Sequence, residues 1–306
     1  MLYPFIKILV RLALKVFCRE IKISGKKALS FQGPLLITAN HPNSFLDAII
    51  IGSIFSHPIH FLARGDAFNK PLHAKLLHIL NMIPVYRISE GKENLHLNEY
   101  AFKKCKEILY KNGIVLIFIE GISVHNHLLQ PFKKGAARIG LENMKNPDLQ
   151  ILPLTLAYDS FTDFGKNVNI HICKPIPVAS LFPFTEEAKN AKYFNQFIFD
   201  QIQRNIVLPT PLEPTKTINR LFLFIPGALG YLIHYPLYML LKSIVQNKTR
   251  GTIFFDSILF GWLLFCYPLY VLLILVSLLL IKVPVIILCL VFFILPITAW
   301  CAVKIK

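Results

Sequence analysis

Apolar residues recur along this chain with two different periods. Short apolar runs at 34–39 (PLLITA), 58–63 (PIHFLA), 114–119 (IVLIFI), 151–157 (ILPLTLA) and 168–173 (VNIHIC) have the length and the bounding turn residues of strands. Between them, residues 45–54, 71–81, 94–111 and 134–146 repeat their apolar positions near the helical period and are predicted as helices. The helix at 94–111 ends on Lys111-Asn112-Gly113, a usual helix stop. The run 114–119 is apolar throughout, as a strand covered on both faces must be. This alternation predicts an α/β fold over residues 20–210, a mostly central β-sheet flanked by helices and long enough to bury a real core.

The two ends follow other rules. Residues 1–18 place Lys7, Arg11 and Lys15 four apart, leaving Leu, Ile, Val and Phe on the opposite face. That pattern predicts an amphipathic helix over 1–19 lying in a membrane interface. A cleaved signal fits less well, because the cations interrupt every apolar stretch and no small-residue cleavage site follows. At the other end Pro209, Pro211 and Pro214 mark a linker into a membrane region, residues 211–306. Segments 260–281 and 283–303 are each long enough to cross a hydrocarbon core of roughly 30 Å. With Lys282 alone between them, they are predicted as a transmembrane hairpin. Segment 221–241 is apolar but interrupted at Pro226-Gly227-Ala228-Leu229-Gly230 and at His234-Tyr235-Pro236, and is expected to be a broken interfacial or re-entrant segment. With two spans, Lys242, Lys248, Arg250, Lys304 and Lys306 stay on the side of the α/β domain, which then faces the cytoplasm.

Composition agrees with contact to lipid. Of 306 residues 54% are hydrophobic, and mean hydropathy is +0.53. The formal charge of +16 suits nucleic acid or an anionic membrane surface. The basic residues lie among long apolar runs, without helix-turn-helix, finger or RNP-like spacing, so nucleic acid is not an expected partner and the lipid bilayer is. Six scattered cysteines never form C-x-x-C and read as reduced thiols.

Candidate chemistry starts at ITANHPNSFLDAII, residues 37–50, where a strand-like run turns into a helix-like one. His41 is the default base near neutral pH, and a carboxylate such as Asp47 on its other nitrogen would hold the tautomer. Six residues is not a same-face helical spacing, so the two meet only if His41 stands on the loop before the helix. The alternative is a capping Asn/Ser turn with an incidental histidine. Glu120-Gly121, at the end of strand 114–119, sit where open α/β sheets bind ligands, or serve as a structural cap. Lys133-Lys134-Gly135 begin a basic helix suited to a phosphate or to solvent. Arg64 and Arg87 could take an anionic headgroup or form surface ion pairs. His57-x-x-His60 and His125-x-His127 lack further ligands at recognisable spacing, so no metal is expected.

Taken in order, these residues resemble the glycerophospholipid acyltransferase family, typified by lysophosphatidate and glycerol-phosphate acyltransferases. Its N-H-x-x-x-x-D block is matched by Asn40-His41 through Asp47 with one extra residue. Its second block is matched by Ile83-Pro84-Val85-Tyr86-Arg87, and F-P-E-G-T-R by Phe118-Ile119-Glu120-Gly121-Ile122-Ser123. The K-x-G-x-A signature appears as Lys133-Lys134-Gly135-Ala136-Ala137, and the apolar-Pro block as Ile151-Leu152-Pro153-Leu154. The resemblance spans residues 34–178.

It implies acyl transfer from acyl-CoA or acyl-carrier protein to a hydroxyl of glycerol phosphate or a lysophospholipid, without a cofactor. His41 would be the general base and Asp47 its orienting partner. Arg87 with Glu120 and Gly121 would form the acceptor-phosphate end, Lys133 and Lys134 would assist with the anionic donor, and Asn40 and Ser123 would also bind substrate. The N-H-P-N-S-x-x-D and E-G-x-S forms resemble the branch that acts on glycerol phosphate or dihydroxyacetone phosphate. E-G-I-S lacks the arginine of F-P-E-G-T-R, which is compatible with an aminolipid acceptor, such as the hydroxyl of an N-acylated amino acid. A non-catalytic membrane scaffold is the remaining alternative, and retention of both His41 and Asp47 weighs against it.

Overall fold

The computed structural model describes residues 2–87, 96–210 and 217–305. The expected linker prolines Pro211 and Pro214, residues 94–95 of the expected fourth helix, and Lys306 lie outside them. The chain runs α1 (Leu2–Phe17), β1 (Cys18–Ser24), β2 (Leu35–Ala39), α2 (Ser44–Ile54), β3 (Ile59–Arg64), α3 (Pro71–Ile79), β4 (Met82–Val85), α4 (Asn98–Tyr110) and β5 (Ile114–Phe118). It continues through α5 (Gly135–Glu142), β6 (Gln150–Tyr158), β7 (Lys166–Ile172), β8 (Ile176–Pro177), α6 (Glu187–Asn205), α7 (Thr217–Thr249), α8 (Phe255–Leu280) and α9 (Val285–Ile305).

The described strands form one mixed sheet in the order β1-β7-β6-β2-β5-β3-β4, with β8 added to β6. Strands β4, β3, β5, β2 and β6 are mutually parallel, β7 runs antiparallel to β6, and β1 is parallel to β7. Every residue of β2 is buried because it is central: Leu35, Ile37 and Ala39 face one core and Leu36 the other. The Leu36 side is closed by α4, α5 and α6, through residues such as Cys105, Ile139 and Phe194. The other side is closed by α1 and α2, and also by Leu241 and Val245 of α7 and Phe255, Leu259 and Phe260 of α8. The membrane region therefore shares its core with the α/β domain.

Three expectations change. Strands β1 and β4 were not predicted; both are edges of the sheet, and β1 (CREIKIS) buries only alternate residues. Two of the three cations of α1, Lys7 and Arg11, reach the end of α2, while Lys15 stays exposed. Lys7 donates to the carbonyls of Phe55 and Ser56, and Arg11 Nε to that of Ser53 at 2.5 Å. The unpaired carbonyls at the end of α2 draw these donors, and Phe5, Ile8, Leu9 and Leu12 are left exposed on the outer face. Segment 221–241 is not broken, since α7 is one helix through both Pro226 and Pro236.

Three helical stretches, Phe222–Thr249, Phe255–Leu280 and Val285–Ile305, are long and apolar enough to cross a membrane. The hairpin turns at Lys282, which adopts φ +61. Helix α7 meets the halves of that hairpin nearest the α/β domain. Ile233 accepts from Tyr270 Oη at 2.6 Å, Lys248 lies over Trp262, His234 bonds the Leu295 carbonyl at 3.0 Å, and Gly230 leaves no room for a Cβ against Thr298.

Candidate active site

The parallel strands end along one edge of the sheet, and the loops beyond β2 and β5 form the candidate site there. Beyond Ala39 the side chain of Asn40 extends the ladder: its amide donates to the Leu156 carbonyl at 2.9 Å and accepts from the Leu156 N–H at 2.8 Å. Both ends of that buried amide, which the resemblance places among the substrate-binding residues, are engaged with β6, so Asn40 anchors the loop. Next in the chain, His41 Nδ1 lies 2.9 Å from Asp47 Oδ2. The imidazole stacks on Phe118 with ring centroids 3.7 Å apart, which leaves Nε2 as the ring nitrogen turned away from the carboxylate.

The extra residue between His41 and Asp47 is absorbed at Ser44, which adopts φ +51. That left-handed step is costly for a side chain other than glycine and persists where its surroundings hold it. The Ser44 N–H donates to Ser123 Oγ at 2.8 Å, and the Asn43 N–H to Asp47 Oδ2 at 2.8 Å. The Leu46 N–H donates to Ser257 Oγ at 3.0 Å. Ser44 and Leu46, in the first turn of α2, are therefore held by Ser123 and Ser257 from distant parts of the chain, Leu46 sharing its N–H with the Asn43 carbonyl, and Asn43 occupies the cap position without capping with its side chain. The capping-turn alternative is replaced by a turn built around the His41–Asp47 pair.

Asp47 is fully buried and accepts three hydrogen bonds. The third, from Tyr158 Oη to Oδ1 at 2.6 Å, was not legible in the sequence. Burial, followed by the negative charge of Asp47, pushes the Tyr158 phenol well above its ordinary value, so it stays a donor. Glu120 bonds two backbone N–H groups, in line with the structural alternative given for it. Its Oε1 accepts from the His41 N–H at 3.1 Å and its Oε2 from the Gln130 N–H at 3.2 Å. Burial raises its pKa while these two bonds lower it, and with both oxygens held this carboxylate ties the two loops together. Gly121, at φ +67, leaves room for Lys133, whose Cγ would stand 2.8 Å from a Cβ there.

Residues 20–157 match the Acyltransferase family model. The chain is 25% identical over 170 residues to the chloroplastic 1-acyl-sn-glycerol-3-phosphate acyltransferase BAT2 of Brassica napus, covering 53% of this chain and 46% of that protein. It thus spans about half the length of this curated relative. The crystal structure of the 1-acyl-sn-glycerophosphate (LPA) acyltransferase PlsC from Thermotoga maritima superposes with a TM-score of 0.47 at 16% identity, over 67% of this chain and 81% of that one. These likenesses support a glycerophospholipid acyltransferase family for the domain over residues 20–157.

The remaining expected residues of this acyltransferase domain lie along the same edge. Arg87 follows β4, three strands from β2 in the order β2-β5-β3-β4, which is roughly 14 Å at the usual strand spacing. The chain there is held by Asn98, whose amide accepts from the Tyr86 N–H at 2.7 Å and donates to its carbonyl at 2.8 Å. Arg64, one strand nearer, pairs with Asp66. Lys133 and Lys134 are exposed, and Lys134 lines a cleft of about 440 Å³ with Lys192, Asn195 and Gln196. His125 and His127 are used internally: His125 Nε2 bonds the Ile253 carbonyl at 3.0 Å, and His127 Nε2 accepts from the Tyr158 N–H at 3.3 Å.

Proposed function

We propose that this chain is a membrane-bound O-acyltransferase that moves a fatty acyl group from an acyl thioester to a hydroxyl of glycerol phosphate or lysophosphatidate. The observation that carries the reading is the 2.9 Å contact between His41 Nδ1 and the buried Asp47 carboxylate. With Nδ1–H donated to Asp47, neutral His41 presents Nε2 as an acceptor. It removes the proton of the acceptor hydroxyl as that oxygen attacks the thioester carbonyl. The C–S bond then breaks, and the imidazolium returns the proton to the leaving thiolate. No covalent acyl-enzyme is required, because Ser44 has no G-x-S-x-G elbow around it and its N–H is bonded to Ser123.

Arg87 takes the acceptor phosphate, within reach of a long side chain from the far end of the edge. Lys133 and Lys134 receive the anionic donor, acyl-CoA or acyl-carrier protein. Helices α8 and α9 cross the bilayer, and α7 lies across their halves nearest the domain. Lys248, Arg250 and Lys304 then sit on the domain side and Lys282 alone at the far turn, which supports a cytoplasmic catalytic domain. The exposed apolar face of α1 joins the same lipid surface.

The test is transfer of labelled acyl groups by the full chain in anionic lipid vesicles, with glycerol phosphate, lysophosphatidate or an N-acylated amino acid as acceptor. Transfer to either phosphorylated acceptor supports the reading. Transfer to the N-acylated amino acid alone would replace the acceptor class, and no transfer to any of them would refute it.

A further inference from the structure

The turn that carries His41 is held from outside the α/β domain. Asn43, buried between His41 and Ser44, donates its side-chain amide to Asp256 Oδ2 at 2.8 Å. Asp256 stands in the first turn of α8 and is fully buried. The same oxygen takes the ammonium of Lys166, itself buried at the start of β7. Ser257, the next residue of α8, accepts from the Leu46 N–H at 3.0 Å, and Ile253, just before the helix, accepts from His125. Two consecutive side chains of α8 therefore bond to two positions on either side of the strained Ser44. Asp256 is also the only acidic residue after Glu213, in an otherwise apolar and basic stretch.

A buried ion pair contributes little net stability, since desolvation offsets the attraction, and an apolar pair of similar size serves as well or better. Its retention here fits a positioning use. We propose that Asp256 is a positioning residue of the acyl-transfer site. It fixes the amide of Asn43, and with it the turn that sets His41 and Asp47, while Lys166 supplies the counter-charge that lets a carboxylate stay buried there. The start of the first hairpin helix thus completes the site. The inference rests on the acyl-transfer reading above.

Two double variants separate positioning from mere support. K166M/D256N removes both charges but keeps an oxygen for Asn43, whereas K166M/D256L removes the charges and the acceptor together. Both are measured in the full chain in vesicles, with thermal melting as the control for folding. K166M/D256N is expected to keep kcat within about threefold of the parent. K166M/D256L is expected to lose kcat by about tenfold or more at unchanged donor and acceptor KM, the scale of a misplaced catalytic group. Equal kcat in the two variants would overturn the proposal. If either fails to melt cooperatively, Asn43→Ala in the parent background decides: the same loss of kcat supports the role, and an unchanged kcat refutes it. Should the parent transfer no acyl group, the failure belongs to the acyl-transfer reading. The positioning role is then read from the rate at which diethyl pyrocarbonate modifies His41, by peptide mass. A rate changed in K166M/D256L but not in K166M/D256N supports it, and equal rates overturn it.

Discussion

Replacing Tyr158 by Phe removes a single oxygen from the centre of the site. That oxygen donates to Asp47 Oδ1 at 2.6 Å, and both residues are completely buried. Asp47 would keep its bonds from His41 and Asn43 on Oδ2 and leave Oδ1 without a donor. A hydrogen bond to a charged group contributes about 1.5–3 kcal/mol, and the buried acceptor left behind has no water to replace it. At about 2–4 °C per kcal/mol for a chain of this class, the melting temperature should fall by roughly 3–12 °C. The same oxygen restrains the carboxylate that orients His41, so kcat should fall by about tenfold or more while both KM values hold. Melting in detergent and acyl transfer in vesicles read the two effects separately. A Tyr158→Phe chain that melts within about 1 °C of the parent and keeps its kcat would refute the three-donor account of Asp47.

Other expectations follow from the same geometry. Glu120→Gln retains one acceptor but opposes the second N–H with an amide N–H, so it should cost about 1–3 kcal/mol by melting and lower kcat by loosening the His41 loop. Arg87→Ala should raise the KM of a phosphorylated acceptor by more than tenfold and leave the donor KM alone; an unchanged acceptor KM would remove Arg87 from the phosphate end. The Cys105 thiol, buried in α4, is pushed from its ordinary 9.0 up to about 12, so it stays protonated in the fold while the unfolded chain ionises. A raised folded pKa means stability is lost as pH rises above the unfolded value. Between pH 9 and 10.5 the parent should lose about 2 kcal/mol more than Cys105→Ala, and equal slopes in melting against pH would contradict this.

The hydrophobic pattern located β2, β3, β5, β6 and β7 because central strands bury nearly every residue and leave long apolar runs. Strand β4 was hidden because it is short, contains Pro84 and pairs on one side alone, the place where proline is tolerated in a sheet. In β1, Arg19, Glu20 and Lys22 dilute the pattern at the opposite edge. His41 and Asp47 were legible as a pair, since they stand six positions apart across one turn. Their supports were not: Tyr158 lies 111 positions from Asp47, and Asp256 lies 213 from Asn43. Nothing in strand periodicity distinguishes Tyr158 from a core aromatic. The solitary acid of the apolar C-terminal region was the available signal for Asp256. In α1, sequence periodicity shows which residues share a face and not what that face meets; Lys7 and Arg11 meet the end of α2.

The most direct test of the central claim is the acyl-transfer rate of His41→Ala beside the parent, at saturating donor and acceptor in anionic vesicles. Loss of general-base catalysis should lower kcat by at least about a hundredfold, with melting and vesicle binding unchanged. A His41→Ala chain that transfers acyl groups at the parental rate would contradict the account.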